Sequence, residues 1–268
     1  MATSSASPGA LGVAVAIDLN ADLGESFGAY RIGSDEALIP LLTSANVACG
    51  FHAGDPVVID YTVSLLREAG VALGAHPGFR DLAGFGRRDL GATSHEIETD
   101  VAYQVAALEG MGRRRGLALS HVKAHGSLYN LAWKDRTVAA AIAAGVASLG
   151  GGLTVVAPSG SAMESAAAAA GLPVAREAFA DRAYASDGTL VSRRLPGAVL
   201  EDPEEVAQRA LQIVCEGTIQ AADGSVIGLP ADTLCIHGDN PSAVTLATAV
   251  RAALTSAGIE LRAIGGAA

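Results

Sequence analysis

Short apolar runs recur along the chain at residues 13–19, 44–48, 71–75, 119–122, 153–157, 173–176 and 233–236, with one more at 259–264 that reads as a closing strand. They are rich in β-branched and small apolar residues and lack the strict alternation of a sheet with one wet face, which is the pattern of strands buried on both sides. Longer segments of helical composition separate them, at 34–42, 56–69, 94–112, 136–148, 161–170, 203–216 and 241–257. Ser94 is placed to cap its helix, and Asp55 and Asn240 each precede a proline at a first helical position. Strand alternating with helix predicts parallel strands covered by outer helices. The repeat count predicts a closed or nearly closed TIM-like β/α barrel of about seven strands. A doubly wound open sheet is the competing architecture, but it calls for a glycine-rich dinucleotide loop or other switch-point signature that the chain lacks.

Two stretches break the rhythm. Residues 179–196 form an irregular polar insert, and residues 218–229 read as a hairpin around Asp223-Gly224. Insertions at one rim of a barrel commonly build lids or pocket walls.

Length and composition narrow the picture. At 268 residues the chain fits one barrel, so a single catalytic domain is expected over 13–268, after an Ala/Ser/Gly-rich disordered tail at 1–12. Half the residues are hydrophobic and 17% are charged, enough for one large core. The formal charge of −10 speaks against nucleic-acid binding, and the densest basic run, Arg113-Arg114-Arg115, reads as a solvated helix end. Cys49, Cys215 and Cys235 show no CxxC spacing and no disulfide framework, which fits a reducing cytoplasm. Cys49 reads as a small buried residue beside a strand rather than as a nucleophile. The N-terminus lacks a basic n-region, and no apolar stretch approaches bilayer length, so no membrane role is expected.

Candidate chemistry sits directly after the apolar runs, where parallel strand ends converge at one rim. The first cluster, Asp18 to Glu25, places Asp18 and Asn20 on one strand face, with Asp22 and Glu25 in the loop beyond. Its oxygens can surround a ligand or a hard cation. The second adds Asn46, His52 and Asp55, the latter two near enough to share a proton or ligand. The third ends on His76 and is followed by a loop with Arg87 and Arg88, either of which can grip a carboxylate. In the fourth, His121, Lys123 and His125 alternate, so an extended strand would point all three to one side. A buried lysine there demands an anion nearby, and Tyr129 and Asn130 close the loop with further polar groups. The last cluster brings His237 and Asp239. No GxxxxGK[ST] phosphate loop, HExxH helix or GxSxG elbow is present, so the chain carries no standard ATP loop of its own.

The stretches IDLNADLGESFG, ANVACGFHAGDP, GAHPGF with DLAGFGRR, HVKAHGSLYN, EAFADRAY with DGTLVSR, and CIHGDNP resemble the LamB/YcsF family, in order, over positions 17 to 241. Departures fall at Ala124, Ser127 and Gly78-Phe79-Arg80 and spare the His and Lys positions. The resemblance implies a barrel of the glycoside hydrolase/deacetylase type. It also implies the ATP-dependent hydrolytic opening of 5-oxo-L-proline to L-glutamate, with ATP and Mg2+ used by a complex with 5-oxoprolinase subunits B and C. Self-association is compatible with this.

On that basis Lys123, with Arg87 or Arg182, is expected to meet the anionic oxygens of an activated lactam. His125 or His52 would be the base for water, oriented by Asp22 or Asp55, and His237 with Asp239 the acid for the ring nitrogen. Asn20, Glu25, Asn46, His76, Tyr129 and Asp181 complete the expected substrate pocket. Two alternatives stand beside this reading. One is a metal-dependent deacetylase or amidohydrolase site in which Asp22, His52 and His125 hold a divalent ion. The other is a non-catalytic component that only binds 5-oxoproline or scaffolds its partners.

Overall fold

A computed structural model describes residues 16–238, 240 and 242–265; the expected tail at 1–12, Asp239 and Pro241 lie outside the described residues. In chain order, strands β1 (Ala16–Leu23), β2 (Ser44–Ala48), β3 (Ala72–His76), β4 (Leu119–Lys123), β5 (Thr154–Pro158) and β6 (Val174–Phe179) are followed by the hairpin β7 (Thr218–Gln220) and β8 (Val226–Gly228), and then by β9 (Thr233–Ile236) and β10 (Glu260–Leu261). The helices are α1 (Asp35–Leu38), α2 (Pro56–Ala69), α3 (Ser94–Arg115), α4 (Gly126–Lys134), α5 (Arg136–Ala147), α6 (Ala162–Ala169), α7 (Pro203–Glu216) and α8 (Ala243–Ser256).

Strands β1 to β6 pair in sequence, all parallel, and β9 pairs with both β6 and β1, which closes a seven-stranded barrel. Closure therefore comes from β9. The expected closing strand at 259–264 is reduced to the two residues of β10, which pair with Ala16 and Ile17 at the start of β1. The antiparallel hairpin of β7 and β8 forms where Asp223-Gly224 predicts it.

Inside and outside of the barrel differ in kind. Along β1, Ile17, Leu19, Ala21 and Leu23 alternate with Asp18, Asn20 and Asp22. The period of two sends one set toward the helices and the other into the barrel. The helix layer supplies Ile59, Val63 and Leu66 from α2 and Val101, Val105 and Leu108 from α3, all buried in one apolar cluster with Leu19 and Leu73. Each such side chain contributes roughly 1.5–3 kcal/mol on full burial. The interior is instead lined by Asp18, Asn20, Ser44, Asn46, His121, Glu177 and Thr233, all buried.

Local signals place the helices that carry the site. Asp55 caps α2, its Oδ1 accepting from Val57 and Val58 N–H at 2.9 and 3.0 Å. Thr93, one residue before the expected Ser94, caps α3 in a reciprocal box with Glu96. The sequence pattern shows α4 only as a loop, because a nine-residue helix starting on glycine offers few turns to reveal its period.

Candidate active site

The C-terminal ends of the strands open into a cavity of about 640 Å³ whose lining includes Asp22, Glu25, His76, Lys123, His125 and His237. Arg87, Tyr129 and Arg182, also expected at the site, share that lining. The residues arrange themselves in two layers.

The lower layer is a closed hydrogen-bond network. Asn46 donates to Asn20 Oδ1 at 2.8 Å and to Asp22 Oδ1 at 3.0 Å, while its own Oδ1 faces His121 Nε2 at 3.0 Å. His121 has room because it packs over Gly74 of β3: a Cβ there would collide with the imidazole. Asp18 accepts from Thr43, Ser44 and Thr233. Burial pushes His121 down to about 3, so it is a neutral hydrogen-bonding group at neutral pH.

Lys123, at the end of β4, tops this layer. Its Nζ lies 2.8 Å from Glu177 Oε1, 3.0 Å from Asp22 Oδ1 and 3.1 Å from Cys235 Sγ. Burial alone would lower its pKa, but the facing anions, Asp22 foremost, hold it well above the ordinary lysine value. The Cys235 thiol is itself pushed well upward by burial, so Asp22 and Glu177 supply the counter-charge. Asp22 is held well below the usual carboxylate range because His76 and Lys123 outweigh its burial. Glu177 is a site residue that sequence reasoning misses, since the sixth apolar run stops at Arg176. It also accepts from Tyr129 O–H at 2.7 Å and from Asn20 at 3.3 Å. Its signals are its place at the head of the EAFADRAY stretch and a carboxylate set just before Ala178-Phe179 in a buried strand.

The upper layer is different. The rings of His52 and His125 stack face to face with centroids 3.7 Å apart, and the Nε2 of each stands 3.9 Å from Glu25 Oε1. His125 ends the turn after β4 as the N-cap of α4 rather than continuing the strand, so the shared face expected for His121, Lys123 and His125 holds only for the first two. The stacked pair fits because Gly86, at φ +62°, lies against it: a Cβ there would stand 2.6 Å from His125 Nδ1. Both imidazoles are held well below their ordinary pKa, first by burial and then by the neighbouring imidazoles, His76 beside His52 and both His52 and His76 beside His125, with Arg87 adding to the effect. Both ring nitrogens of His52 and Nδ1 of His125 are buried without a hydrogen-bond partner. His76 is oriented by Nδ1, 2.7 Å from the Lys123 carbonyl, and its Nε2 approaches Asp22 at 3.4 Å.

At the far wall His237 stacks on Phe179 and places Nδ1 3.0 Å from Asp181 Oδ2. Asp181 is held below the usual carboxylate range, since His237 outweighs its burial. His237 thus has a carboxylate partner in Asp181, a residue the sequence places among the substrate contacts. Asn20 and Asn46 lie beneath the cavity rather than in it. Asp55 is not brought to the site: besides capping α2, its Oδ2 accepts from Gly28 N–H at 2.8 Å, which commits the carboxylate to the loop. Cys49 is a buried thiol pushed up to about 12, inert as a nucleophile.

Among the described residues, the carboxylate and imidazole atoms that come within 4.8 Å of one another in a set able to hold a metal belong to Glu25, His76 and His125. Of the metal set expected from sequence, His125 is in this group, Asp22 is bonded to Lys123, and His52 stacks behind His125.

Fold and site together define a seven-stranded β/α barrel with an acid/base pocket at its C-terminal rim. The chain belongs to the LamB/YcsF family, whose model matches residues 17–268. It is 54% identical over 249 residues to a protein of Symbiobacterium thermophilum named as the A subunit of 5-oxoprolinase, covering 93% of this chain and 95% of that one. A protein of the same name from Paracidovorax citrulli is 53% identical over 246 residues, covering 92% and 98%. Among solved structures, the lactam utilization protein from Thermus thermophilus matches with a TM-score of 0.89 at 49% identity, over 93% of this chain and all of that one.

Proposed function

We propose that this chain is the A subunit of an ATP-dependent 5-oxoprolinase, opening the lactam of 5-oxo-L-proline to L-glutamate together with partner subunits B and C, which use ATP and Mg2+. The names borne by relatives about half identical to it over nearly their whole length support the reaction. The observation that carries a catalytic role for this chain is the pair of neutral, buried imidazoles with unsatisfied nitrogens beside a fixed ammonium group. A module that only binds has no use for buried nitrogen atoms left without partners, each of which costs about 1–3 kcal/mol.

A lactam is a resonance-stabilised amide with a poor nitrogen leaving group, and phosphorylation of its oxygen would activate the carbon to water. In the proposed mechanism His125, stacked on His52 and facing Glu25, accepts the proton of the attacking water; a neutral imidazole is the form that can do so. Lys123, clamped by Asp22 and Glu177, presents a fixed positive charge to the oxygen that becomes negative. His237, held through Nδ1 by Asp181, offers Nε2 to protonate the departing ring nitrogen. Reconstitution of the three subunits, with and without this chain, tests the role, with ATP hydrolysis and glutamate followed separately. Glutamate should form only when the chain is present; undiminished glutamate formation without it contradicts the proposal.

A second reading is supported by Glu25, His76 and His125 as a cation site. The donor set suits a borderline divalent metal, and the unsatisfied His125 Nδ1 shows that the ring is not fully engaged within the protein. A bound ion would polarise the amide carbonyl and acidify water. Metal analysis of protein purified without chelator tests it: a stoichiometric divalent ion that Glu25→Gln removes supports it, and metal-free active protein rejects it.

A further inference from the structure

Two ways of holding an imidazole meet at the rim. His76 is fixed by the Lys123 carbonyl and His237 by Asp181, each through one ring nitrogen. His125 is held by rings instead: His52 stacks on it at 3.7 Å, while His76 and Phe85 stand across it at centroid distances of 5.0 and 5.4 Å and interplanar angles of 81° and 88°. Phe85 is also 5.9 Å from His52, at 89°. It therefore lies beside the stacked pair, because a ring at one end would be nearer one imidazole by almost the full stacking distance. A phenyl group has no donor or acceptor, so it can fix the plane of an imidazole by contact and still leave His125 Nδ1 without a hydrogen-bond partner.

The backbone brings Phe85 there at a cost. Its φ is +55°, the one positive value at a non-glycine residue among the described residues, and Gly86 follows at +62°. A bulky side chain in the left-handed region is strained, and such strain persists only where the surroundings over-determine it. Here they do. Buried Asp81 accepts from Gly84 N–H at 2.9 Å and from Arg88 Nε at 3.0 Å, and its carbonyl accepts from Gly86 N–H at 2.9 Å. Ser127 N–H, in the first turn of α4, donates to the Gly86 carbonyl at 2.9 Å, which ties the loop to the helix that His125 begins. A glycine at position 85 would keep these bonds without the strain, so the phenyl ring is retained for what it touches. Resting on the reading of His125 as the base of the water step, we infer that Phe85 is a positioning residue, which holds the His125 ring in its stack on His52 and presents it to the attacking water.

Phe85→Gly tests this in two settings, a crystal structure of the full chain and the reconstituted three-subunit system; Phe85→Asn, which also tolerates the left-handed region, replaces it if the glycine protein does not fold. In the crystal the His125 ring should leave its parallel stack on His52. A pair still parallel at the wild-type spacing overturns the proposal, whatever the activity. In the reconstituted system kcat for glutamate formation should fall about tenfold or more, as expected of a misplaced reacting group, while KM for 5-oxo-L-proline changes by less than about threefold. Phe85→Tyr keeps the ring and should recover most of the rate. A raised KM at unchanged kcat overturns the proposal by assigning the phenyl to Arg87, whose guanidinium lies 4.9 Å from its centroid, and so to substrate binding. Introduced into His125→Asn, Phe85→Gly should cost less than about twofold more, since its target is gone, whereas losses that multiply would mark a general structural role and contradict the inference. Near-normal turnover of His125→Asn alone would instead reject the reading of His125 as the base, while the crystal structure would still report on the positioning.

Discussion

The two polar layers at the end of the barrel use the same residue types to opposite ends. Below, Asn46 joins Asn20 to His121, Thr233 joins Asn20 to Asp18, the second His121 nitrogen meets Ser120 Oγ, and the imidazole is a strut. Above, His52 and His125 are equally buried, yet both ring nitrogens of the first and Nδ1 of the second have no hydrogen-bond partner, and Glu25 stands 3.9 Å from each ring. Buried polar groups are normally paired, so an unpaired set is retained for something other than stability. The lesson is that burial and a lowered pKa do not by themselves separate a structural histidine from a reactive one. Satisfaction of the second nitrogen does.

Substitutions should therefore separate the layers. The largest effect on stability is expected at their junction: Lys123→Met leaves Asp22 and Glu177 buried against each other without their cation, at a cost of about 3–5 kcal/mol. Denaturant unfolding measures it, and Lys123→Met with Glu177→Gln should recover part of the loss. Within the lower layer, Asn46→Ala strips partners from Asn20, Asp22 and His121. Each group left unsatisfied costs about 1–3 kcal/mol, and a loss under about 0.5 kcal/mol would show the network to be dispensable.

The upper layer should reveal itself through pH. His52 and His125 have folded pKa values well below the ordinary 6.5, so between pH 7 and 5 the unfolded chain binds protons that the native state refuses. Stability is complete above about pH 6.5 and declines as pH falls. His121 adds to that slope, whereas Asp18, whose pKa burial raises, works against it just above 3.8. His125→Asn should flatten the slope relative to wild type, and parallel curves would contradict the assignment. The smallest effect is expected at Asp55. Asp55→Ala removes the α2 cap for about 1 kcal/mol and leaves turnover unchanged at a temperature where both proteins are folded.

Much of this architecture is written in the chain. The apolar runs and interposed helices mark the barrel, and the polar residues after each run mark the rim. Where the sequence is silent, a third dimension is needed. Asp55 and His52 are three residues apart, but Asp55 faces the helix it caps while His52 is buried against His125. Glu177 sits in a strand whose visible run stops before it, and only closure of the barrel carries it to Lys123, 54 positions earlier. Likewise, the pairing of His237 with Asp181 joins strand ends that are neighbours in space and 56 residues apart in sequence.

The claim that the unsatisfied upper layer performs the water chemistry is tested most directly by His125→Asn in the reconstituted three-subunit system. Glutamate formation should fall by about 100-fold or more, the usual loss when a general base is removed, while the melting temperature at pH 7.5 stays the same or rises. Turnover within a few-fold of wild type would contradict it.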